Sequence, residues 1–302
     1  MTAPKPEAEC PLTPVAIPLS DLLNEDHKLK GEKFNSLVRQ ALNLYRSNFT
    51  AGRTYKHEHD TEVGTLKLMP GEQSQRTSKC AWHARKSIHD PATQSHKLSY
   101  KEFHSGLFVD HPVKERQYIH EILRYDRIQE VHSPTIPESA AEYIADVRAD
   151  VWVTEYKLPM ITSNRDFLEM FLTIDLKPHA NPLSSQHIDA IIASLNGDAQ
   201  AEKTDEESDS TQKRSSAINI QLPVSTSAFE PQANFVRAFY SSVEIIRELE
   251  GDKTEWWMAV QSDSAGRVPL MFQEMAMPSK ISPDVPSFIG WAVEQKKKGE
   301  SV

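Results

Sequence analysis

Apolar positions recur with a helical period near both ends of the chain. The first stripe has the i, i+3, i+4, i+7, i+8 and i+11 spacing of one helix face. It consists of Phe34, Leu37, Val38, Ala41, Leu42 and Tyr45. A second stripe predicts an amphipathic helix over about 283–297. It consists of Ile281, Val285, Phe288, Ile289, Ala292 and Val293.

Between these helices, the chain is rich in β-branched and aromatic residues. The strongest predicted strands cover 143–158 and 165–176. A capping box at Ser99 and Glu102 predicts a helix through Leu107. Further strands are predicted over 82–88, 127–132, 217–227, 235–249 and 254–262. Because strands cluster and do not alternate with helices, the predicted fold class is α+β, and no parallel nucleotide-binding sheet is implied.

Polar segments divide the chain into predicted regions. Residues 1–18 carry five prolines and predict a disordered tail. Residues 19–79 predict a helix followed by a polar loop with at most a short hairpin around Thr65–Met69, and residues 80–298 predict the main domain. Within that domain, 196–214 is acidic and polar without an aromatic residue, which predicts a disordered insertion.

Composition narrows the function. The net charge of −9 argues against a nucleic-acid partner, which would need a basic face. It also argues against electrostatic docking on anionic membranes, although transient membrane contact stays compatible. Cys10 and Cys80 make no disulfide framework. Without a signal-peptide pattern or a run long enough to cross a membrane, we expect a cytoplasmic protein.

The most informative stretch joins the two strongest strands. An aromatic strand ends at Tyr156, a Pro-containing turn follows, and the next strand opens on Arg165-Asp166. A polar pair at the mouth of an apolar hairpin suits an amphipathic ligand, since the strands form a wall and a charge orients the head. The alternative is a structural ion pair at a strand end, and the sequence leaves the two open.

Other candidates for chemistry have simpler interpretations. His57-Glu58-His59 lacks further ligands at a recognisable spacing, so a solvated loop is favoured and no metal is expected. His83 and His89 share a strand face but neither belongs to a nucleophile motif. Phosphate-binding glycine loops are absent from the sequence. We therefore expect no cofactor and assign no catalytic residue.

Two features of the sequence, a pair of tryptophans and the C-terminal helix, are compatible with an internal cavity. Trp256 and Trp257 place one indole on each face of the last strand, so one belongs to the core and the other is available to line a cavity. The C-terminal helix is either a lid or an ordinary packed helix. Lys296-Lys297-Lys298 is explained by the helix macrodipole without invoking a membrane.

These motifs resemble START (steroidogenic-acute-regulatory-related lipid transfer) domains. The START pattern is an aromatic strand, a K-x-P turn and an S-x-R-D-F/Y strand, which correspond here to Lys157-Leu158-Pro159 and Ser163-Asn164-Arg165-Asp166-Phe167. The tail carries the similar motifs Gly266-Arg267-Val268-Pro269 and Asp284-Val285-Pro286-Ser287-Phe288.

A fungal START-like family of undetermined function is more similar still. The segments that carry this resemblance are Trp82-His83-Ala84-Arg85, Lys253-Thr254-Glu255-Trp256, Ser262-Asp263-Ser264-Ala265-Gly266 and Met277-Pro278-Ser279-Lys280-Ile281.

The resemblance implies a helix-grip fold of the START/Bet v1 type, in which a curved antiparallel sheet surrounds the C-terminal helix and an apolar tunnel. The implied partner is a lipid, sterol or hydrophobic metabolite. Phe171 stands where sterol-binding members carry a second arginine, which disfavours sterol-type recognition and suggests a more apolar cavity. The implied ligand-binding residues are Trp152, Tyr156, Arg165, Asp166, Phe167, Phe171, Trp257, Met275, Phe288 and Ile289.

The inward face of the second strand is ambiguous from sequence. Arg165, Phe167, Glu169 and Phe171 share one face, and the more apolar Leu168, Met170, Leu172 and Ile174 share the other. The resemblance places the arginine side in the cavity.

The predicted function is binding, with transfer as an extension, of a hydrophobic ligand without chemistry. The alternative is a helix-grip enzyme such as a cyclase, for which His83, His89, Glu155, Arg165 or Glu169 would point into the tunnel. A third hypothesis is an interaction module with a filled interior.

Overall fold

One open, mainly antiparallel sheet organises the protein. The computed structural model describes residues 12–56, 60–67, 80–158, 163–197, 212–266 and 268–302. Its strands are β1 (Ile17–Pro18), β2 (Asn48–Lys56), β3 (Asp60–Lys67), β4 (His83–His89), β5 (Ile122–Val131), β6 (Ile144–Tyr156), β7 (Asn164–His179), β8 (Arg214–Ser225), β9 (Phe235–Arg237), β10 (Phe239–Glu248) and β11 (Thr254–Asp263). The main path runs β2-β3-β4-β11-β10-β8-β7-β6-β5, so β2 and β5 are its edges.

Helices cover both faces of this sheet. They are α1 (Leu19–Leu22), α2 (Gly31–Arg46), α3 (Tyr100–Phe108), α4 (His111–Tyr118), α5 (Ser185–Leu195), α6 (Leu270–Ile281) and α7 (Asp284–Lys298). The predicted capping box is present at the start of α3, where the Ser99 backbone N–H donates to Glu102 Oε2 over 2.8 Å. The stripes that predicted α2 and α7 are buried along those helices.

The sheet separates two cores. On the outer face, α2 and α5 share one buried core with Leu168, Met170 and Leu172 of β7. On the inner face, α3, α4 and α7 pack around Trp256 of β11 in a second core. A curved sheet that holds the C-terminal helix on its inner face confirms the predicted helix-grip architecture.

The inner face of β7 carries the arginine side of the strand, as the resemblance implied. The ring of Phe171 lies 5.6 Å from that of His111 on α4. Glu169 and Phe167 point the same way because side chains alternate along a strand. The opposite set is more apolar because it packs under α2 and α5 in a closed core.

Part of the predicted N-terminal tail is ordered. Leu12 and Thr13 are buried, and the backbone N–H of Leu12 donates to Gln40 of α2 over 3.1 Å. Strand β1 pairs in parallel with Val224–Ser225 at the end of β8. The prediction of disorder is therefore wrong for 12–18, since a few apolar groups suffice to fix a short segment on a sheet. Residues 1–11 lie outside the described residues.

The predicted polar loop after α2 is also wrong in part. Strands β2 and β3 form a hairpin, and β3 pairs with β4 to extend the sheet. Gly64 makes the close pairing feasible, because a Cβ there would clash with the Thr50 carbonyl oxygen. The domain thus includes residues before 80. The His57–His59 motif lies outside the described part of the chain.

The acidic insertion ends earlier than predicted. Arg214 already belongs to β8, and its Nη1 donates to the Ala180 carbonyl over 2.5 Å. Asn196 and Gly197 form the turn that ends α5. Composition misses this boundary because an arginine at a strand end does not differ from one in a polar linker. Residues 198–211 lie outside the described ranges.

Candidate functional site

Arg165 and Asp166 do not pair with each other, because adjacent residues of β7 point to opposite faces. The guanidinium of Arg165 donates to three backbone carbonyls: Nε to Ser264 over 2.5 Å, Nη2 to Ala265 over 3.5 Å, and Nη1 to Ser163. Arg165 is 4% exposed and holds the loop at 264–266, which precedes α6, against the start of β7. The observed contacts of Arg165 are therefore structural, because they hold this loop in place.

Asp166 has a separate structural partner. Its Oδ2 accepts a hydrogen bond from Arg237 Nη2 over 2.8 Å, and its carbonyl accepts from the Ala238 N–H over 2.9 Å. These contacts hold the short strand β9 beside β7. Asp166 therefore lies on the face away from the predicted tunnel, which corrects its assignment as a ligand-binding residue.

Aromatic side chains line the inner face near the start of β7. The Phe167 ring lies 5.4 Å from Tyr156 on β6 and 6.3 Å from Tyr240 on β10, in both cases edge to face. Trp152 stands beside Glu169 in the β6–β7 register and is half-buried, with its ring 6.1 Å from Tyr125. The structure thus brings Trp152, Tyr156, Phe167 and Phe171 together on one surface.

A buried arginine lies on the same face. Arg85 of β4 is 1% exposed, and its guanidinium sits 4.0 Å above the Trp256 ring. Its Nη2 donates to Glu244 Oε1 over 3.3 Å, while Nε lies 3.8 Å from Asp284 Oδ2 at the start of α7. The Trp256 indole N–H donates to the same Glu244 oxygen over 2.6 Å. The arginine links β4, β10 and α7.

Two further carboxyl groups occupy the interior. Glu169 of β7 is 6% exposed, and its Oε1 has no hydrogen-bond partner in the structure. Burial and the nearby Glu115 raise the pKa of Glu169 well above its ordinary value. Burial likewise raises the pKa of Glu115 on α4, whose Oε2 lies 3.7 Å from His111 Nε2. Burial also raises the pKa of Asp284, to about 7.

These enclosed groups keep accessible surface. Burial is the largest cause of the raised pKa of Glu115, Asp284, Tyr156 and Tyr240. Nevertheless, the side chains of Glu115 and Asp284 remain 24% and 29% exposed. The side chains of Tyr156 and Tyr240 are also only half-buried. These inward-facing side chains are therefore less completely buried than the side chains of the cores that α2 and α5 and α3, α4 and α7 form on the sheet.

Several predicted ligand-binding residues lie elsewhere. Trp257 is on the outer face, 5.2 Å from the Tyr45 ring of α2, because its neighbour Trp256 takes the inner side. Met275 is 72% exposed on α6 and points away from the sheet. Both assignments are therefore corrected. Phe288 and Ile289 do face inward from α7, but they fill the inner core.

The candidate catalytic groups of the alternative function are mostly bound to structural partners. His83 Nε2 lies 2.6 Å from Glu274 Oε2, which joins β4 to α6. His89 packs against Phe103 and contacts Ser87, and Glu155 lies 3.6 Å from Arg124 on the edge strand. Among the named candidates in the described ranges, Glu169 combines an inward position with a raised pKa.

No sequence motif predicts that these charged side chains meet on the inner face. Arg85, Glu115, Glu244 and Asp284 come from four elements that are far apart in the chain. The sequence does show that Arg85 shares one face of β4 with His83 and His89. It does not show which side chains of other elements that face will contact. Within the described residues, no group of three or more His, Cys, Asp or Glu side chains is arranged to hold a metal. Nor is any described helix both long and apolar enough to cross a bilayer.

We expect Glu169→Gln to make the protein more stable than the wild type at neutral and higher pH. The unfolded chain releases the Glu169 proton near the ordinary glutamate pKa, whereas the folded chain retains it to higher pH. Wild-type stability therefore falls as pH rises through this window, and Gln removes that loss. A tenfold difference in proton affinity between the two states corresponds to about 1.4 kcal/mol. Urea unfolding at about pH 4.5 and about pH 8 measures the difference.

Glu130→Gln is the matched control, because Glu130 is exposed on the edge strand β5. It should leave the pH dependence of stability unchanged. Parallel pH curves for the wild type and Glu169→Gln would contradict the raised pKa of Glu169.

Comparison with solved structures identifies proteins of similar fold. Human StAR-related lipid transfer protein 5 superposes with a TM-score of 0.51 at 12% identity, covering 88% of this chain and 98% of that chain. Human STARD10 gives 0.46 at 12% identity, with 88% and 80% covered. The human StarD13 (DLC2) lipid transfer and protein localization domain gives 0.47 at 8% identity, with 85% and 94% covered. The first likeness shows a shared fold and confirms the START resemblance.

No curated protein matches the sequence significantly. A family model described as "Protein of unknown function (DUF3074)" matches residues 82–292. Because this match spans well over half of the chain, the protein belongs to the DUF3074 family, and its fold is that of a START domain.

Proposed function

We propose that the protein binds one lipid or other hydrophobic small molecule between the inner face of the sheet and helices α4 and α7, without chemistry of its own. The observation that carries this proposal is the set of enclosed side chains that keep accessible surface. Glu115 and Asp284 remain 24% and 29% exposed although burial is the main cause of their raised pKa. Such surface inside a protein borders open volume, which a ligand can fill.

The surrounding wall suits an apolar ligand. Trp152, Tyr156, Phe167 and Phe171 come from two adjacent strands and share the inner face. Transfer of an alkyl chain from water to such a wall contributes about 0.8 kcal/mol per buried CH₂ group. A short chain therefore yields useful affinity without any covalent step.

Transfer through transient membrane contact extends the proposal. One side of α6 packs on β11 through Ile281 and Met277. The other side exposes Met271, Phe272 and Met275 at 64%, 57% and 72%. Apolar side chains on an exposed helix face suit insertion into a lipid surface. Human StAR-related lipid transfer protein 5, which shares the fold, carries lipid transfer in its name.

Native mass spectrometry of protein purified without detergent and then exposed to mixed lipids tests the proposal. We expect one additional mass per chain, released unchanged by organic extraction. Glu115→Trp should abolish this mass, because the indole would occupy the accessible space beside α4. Arg116→Trp is the matched control, since the neighbouring Arg116 is exposed, and it should retain the ligand.

Two results would overturn the proposal. One is a protein that carries no extra mass after exposure to mixed lipids. The other is equal loading of the Glu115→Trp and Arg116→Trp variants, which would place the bound molecule elsewhere.

One observation favours the enzymatic alternative. A carboxyl group that stays protonated near neutral pH suits a general acid, and Asp284 has a pKa of about 7. An enzyme acting on a hydrophobic metabolite would return a changed mass after incubation. Recovery of the loaded molecule unchanged over hours would support the carrier.

A further inference from the structure

One buried carboxyl group on the inner face has no partner. Glu169 of β7 is 6% exposed, and its Oε1 forms no hydrogen bond. None of the hydrogen bonds and ion pairs within the described ranges involves this side chain. A buried polar group without a partner is unfavourable, so its position is explained if a bound molecule supplies that partner.

Glu169 favours the protonated form. Burial raises the pKa of Glu169 well above its ordinary value, and the carboxyl group of Glu115 acts in the same direction. Arg165 shares the inner face, but it stands four positions earlier on β7, about 13 Å away along an extended strand. The Arg165 guanidinium donates to three backbone carbonyls instead. A protonated carboxyl group offers one O–H donor and one carbonyl acceptor.

Two tyrosines approach the same part of the inner face. Phe167 lies two positions before Glu169, and its ring is 5.4 Å from Tyr156 and 6.3 Å from Tyr240. Both tyrosines are half-buried, and burial raises the pKa of each hydroxyl well above its ordinary value, so both stay neutral. The carboxyl group of Glu169 adds to the rise of both pKa values, in agreement with this proximity. Glu169, Tyr156 and Tyr240 are therefore three uncharged groups that can form hydrogen bonds.

The buried charges of the inner face are already met by protein groups. Arg85 donates to Glu244 over 3.3 Å, so these two side chains balance each other. Nε and Nη1 of Arg85 form no hydrogen bond with the described residues, so they suit a neutral acceptor, but the guanidinium does not need a second anion. Glu115 Oε2 lies 3.7 Å from His111 Nε2. A charged ligand head would add a charge without a partner to this interior, which is unfavourable.

We propose that the bound molecule is an amphiphile with an uncharged oxygen head, a hydroxyl or carbonyl group, that forms hydrogen bonds with Glu169, Tyr156 and Tyr240. This inference rests on the proposed function and specifies the class of its ligand. A hydroxyl head accepts from the Glu169 O–H and donates to a tyrosine, whereas a carbonyl head accepts from both. Trp152, opposite Glu169 in the β6–β7 register, and Phe167 receive the apolar chain.

Three probes with the same alkyl chain test the inference. Decanol, decylamine and decanoate are titrated into the full chain at neutral pH, with binding followed by calorimetry. We expect decanol to bind at least about tenfold more tightly than either charged probe. The reason is that each charged head would lose its hydration without gaining a counter-ion.

Variants assign the hydrogen bonds of the head. Glu169→Leu should weaken decanol binding about fivefold or more, because the head loses a partner. Glu169→Gln keeps a donor and an acceptor, so it should recover most of that loss. The double variant Tyr156→Phe/Tyr240→Phe keeps both rings and should also weaken decanol binding.

Two controls separate lost binding from lost folding. Glu169→Leu removes a buried carboxyl group without a partner, so it should not destabilise the fold, and urea unfolding measures this. Glu130→Leu, at an exposed position on the edge strand β5, should leave decanol binding unchanged.

The outcomes separate this inference from the proposed function. Equal or tighter binding of decylamine or decanoate overturns the uncharged-head inference and leaves the hydrophobic ligand site standing. Full decanol affinity in both Glu169→Leu and the double tyrosine variant also overturns it, because the alcohol would then form its hydrogen bonds elsewhere. Failure of all three probes to bind removes the proposed function together with the inference.

Discussion

Phe288→Ala is expected to lower the free energy of unfolding by about 3–5 kcal/mol. Phe288 is fully buried, with its ring 5.3 Å from those of Phe103 and Trp256 and 5.6 Å from Tyr118. The absent side chain of Gly106 makes room for it, because a Cβ there would lie 2.5 Å from the ring. Urea unfolding at constant m-value measures the loss.

Phe272→Ala provides the matched control. Phe272 belongs to the neighbouring helix α6 and is 57% exposed. Its removal should change stability by about 0.5 kcal/mol or less, as for other exposed positions. A similar loss from both variants would show that α7 does not pack as described.

Arg85→Met is expected to cost about 3–5 kcal/mol, because it leaves the buried carboxyl group of Glu244 without its cation and removes the cation nearest Asp284. Met is of comparable length, so the loss reports charge more than packing. The double variant Arg85→Met/Glu244→Gln should recover part of the stability, since it removes one of the unpaired charges. Both are measured by chemical denaturation at neutral pH.

The exposed pair of Arg46 and Asp189 supplies the comparison. These side chains are 32% and 67% exposed and lie 2.6 Å apart. Arg46→Met should cost no more than about 1 kcal/mol, as is usual for surface ion pairs. An equal cost at Arg46 and Arg85 would contradict the importance assigned to the buried arginine.

Periodicity predicted those parts of the fold that depend on local pattern. The α2 stripe, the capping box of α3 and the long β6–β7 pair are all properties of contiguous segments. The resemblance then decided which side of β7 faces inward. Apolarity alone would have chosen Leu168 and Met170, because it cannot tell which of the two faces of β7 packs under α2 and α5.

The remaining features depend on partners far away in the chain. Whether Trp256 or Trp257 faces inward follows from their register against Ser87 and Lys86 of β4. The loss of Asp166 from the site follows from its contact with Arg237. The position and full length of the β2–β3 hairpin were not predicted, because its strands are polar and gain their burial from the sheet edge they join.

The pairing of β4 with β11 has a consequence for synthesis. Ala84 stands opposite Ala259 in this register, so the two parts of the sheet meet across most of the chain. Contacts of such long sequence separation form slowly, because the intervening loop must close first. As the polypeptide leaves the ribosome, the edge of β4 stays unpaired until residue 260 has emerged. During that interval the nascent chain exposes a strand edge, and we expect chaperone dependence to be greatest there.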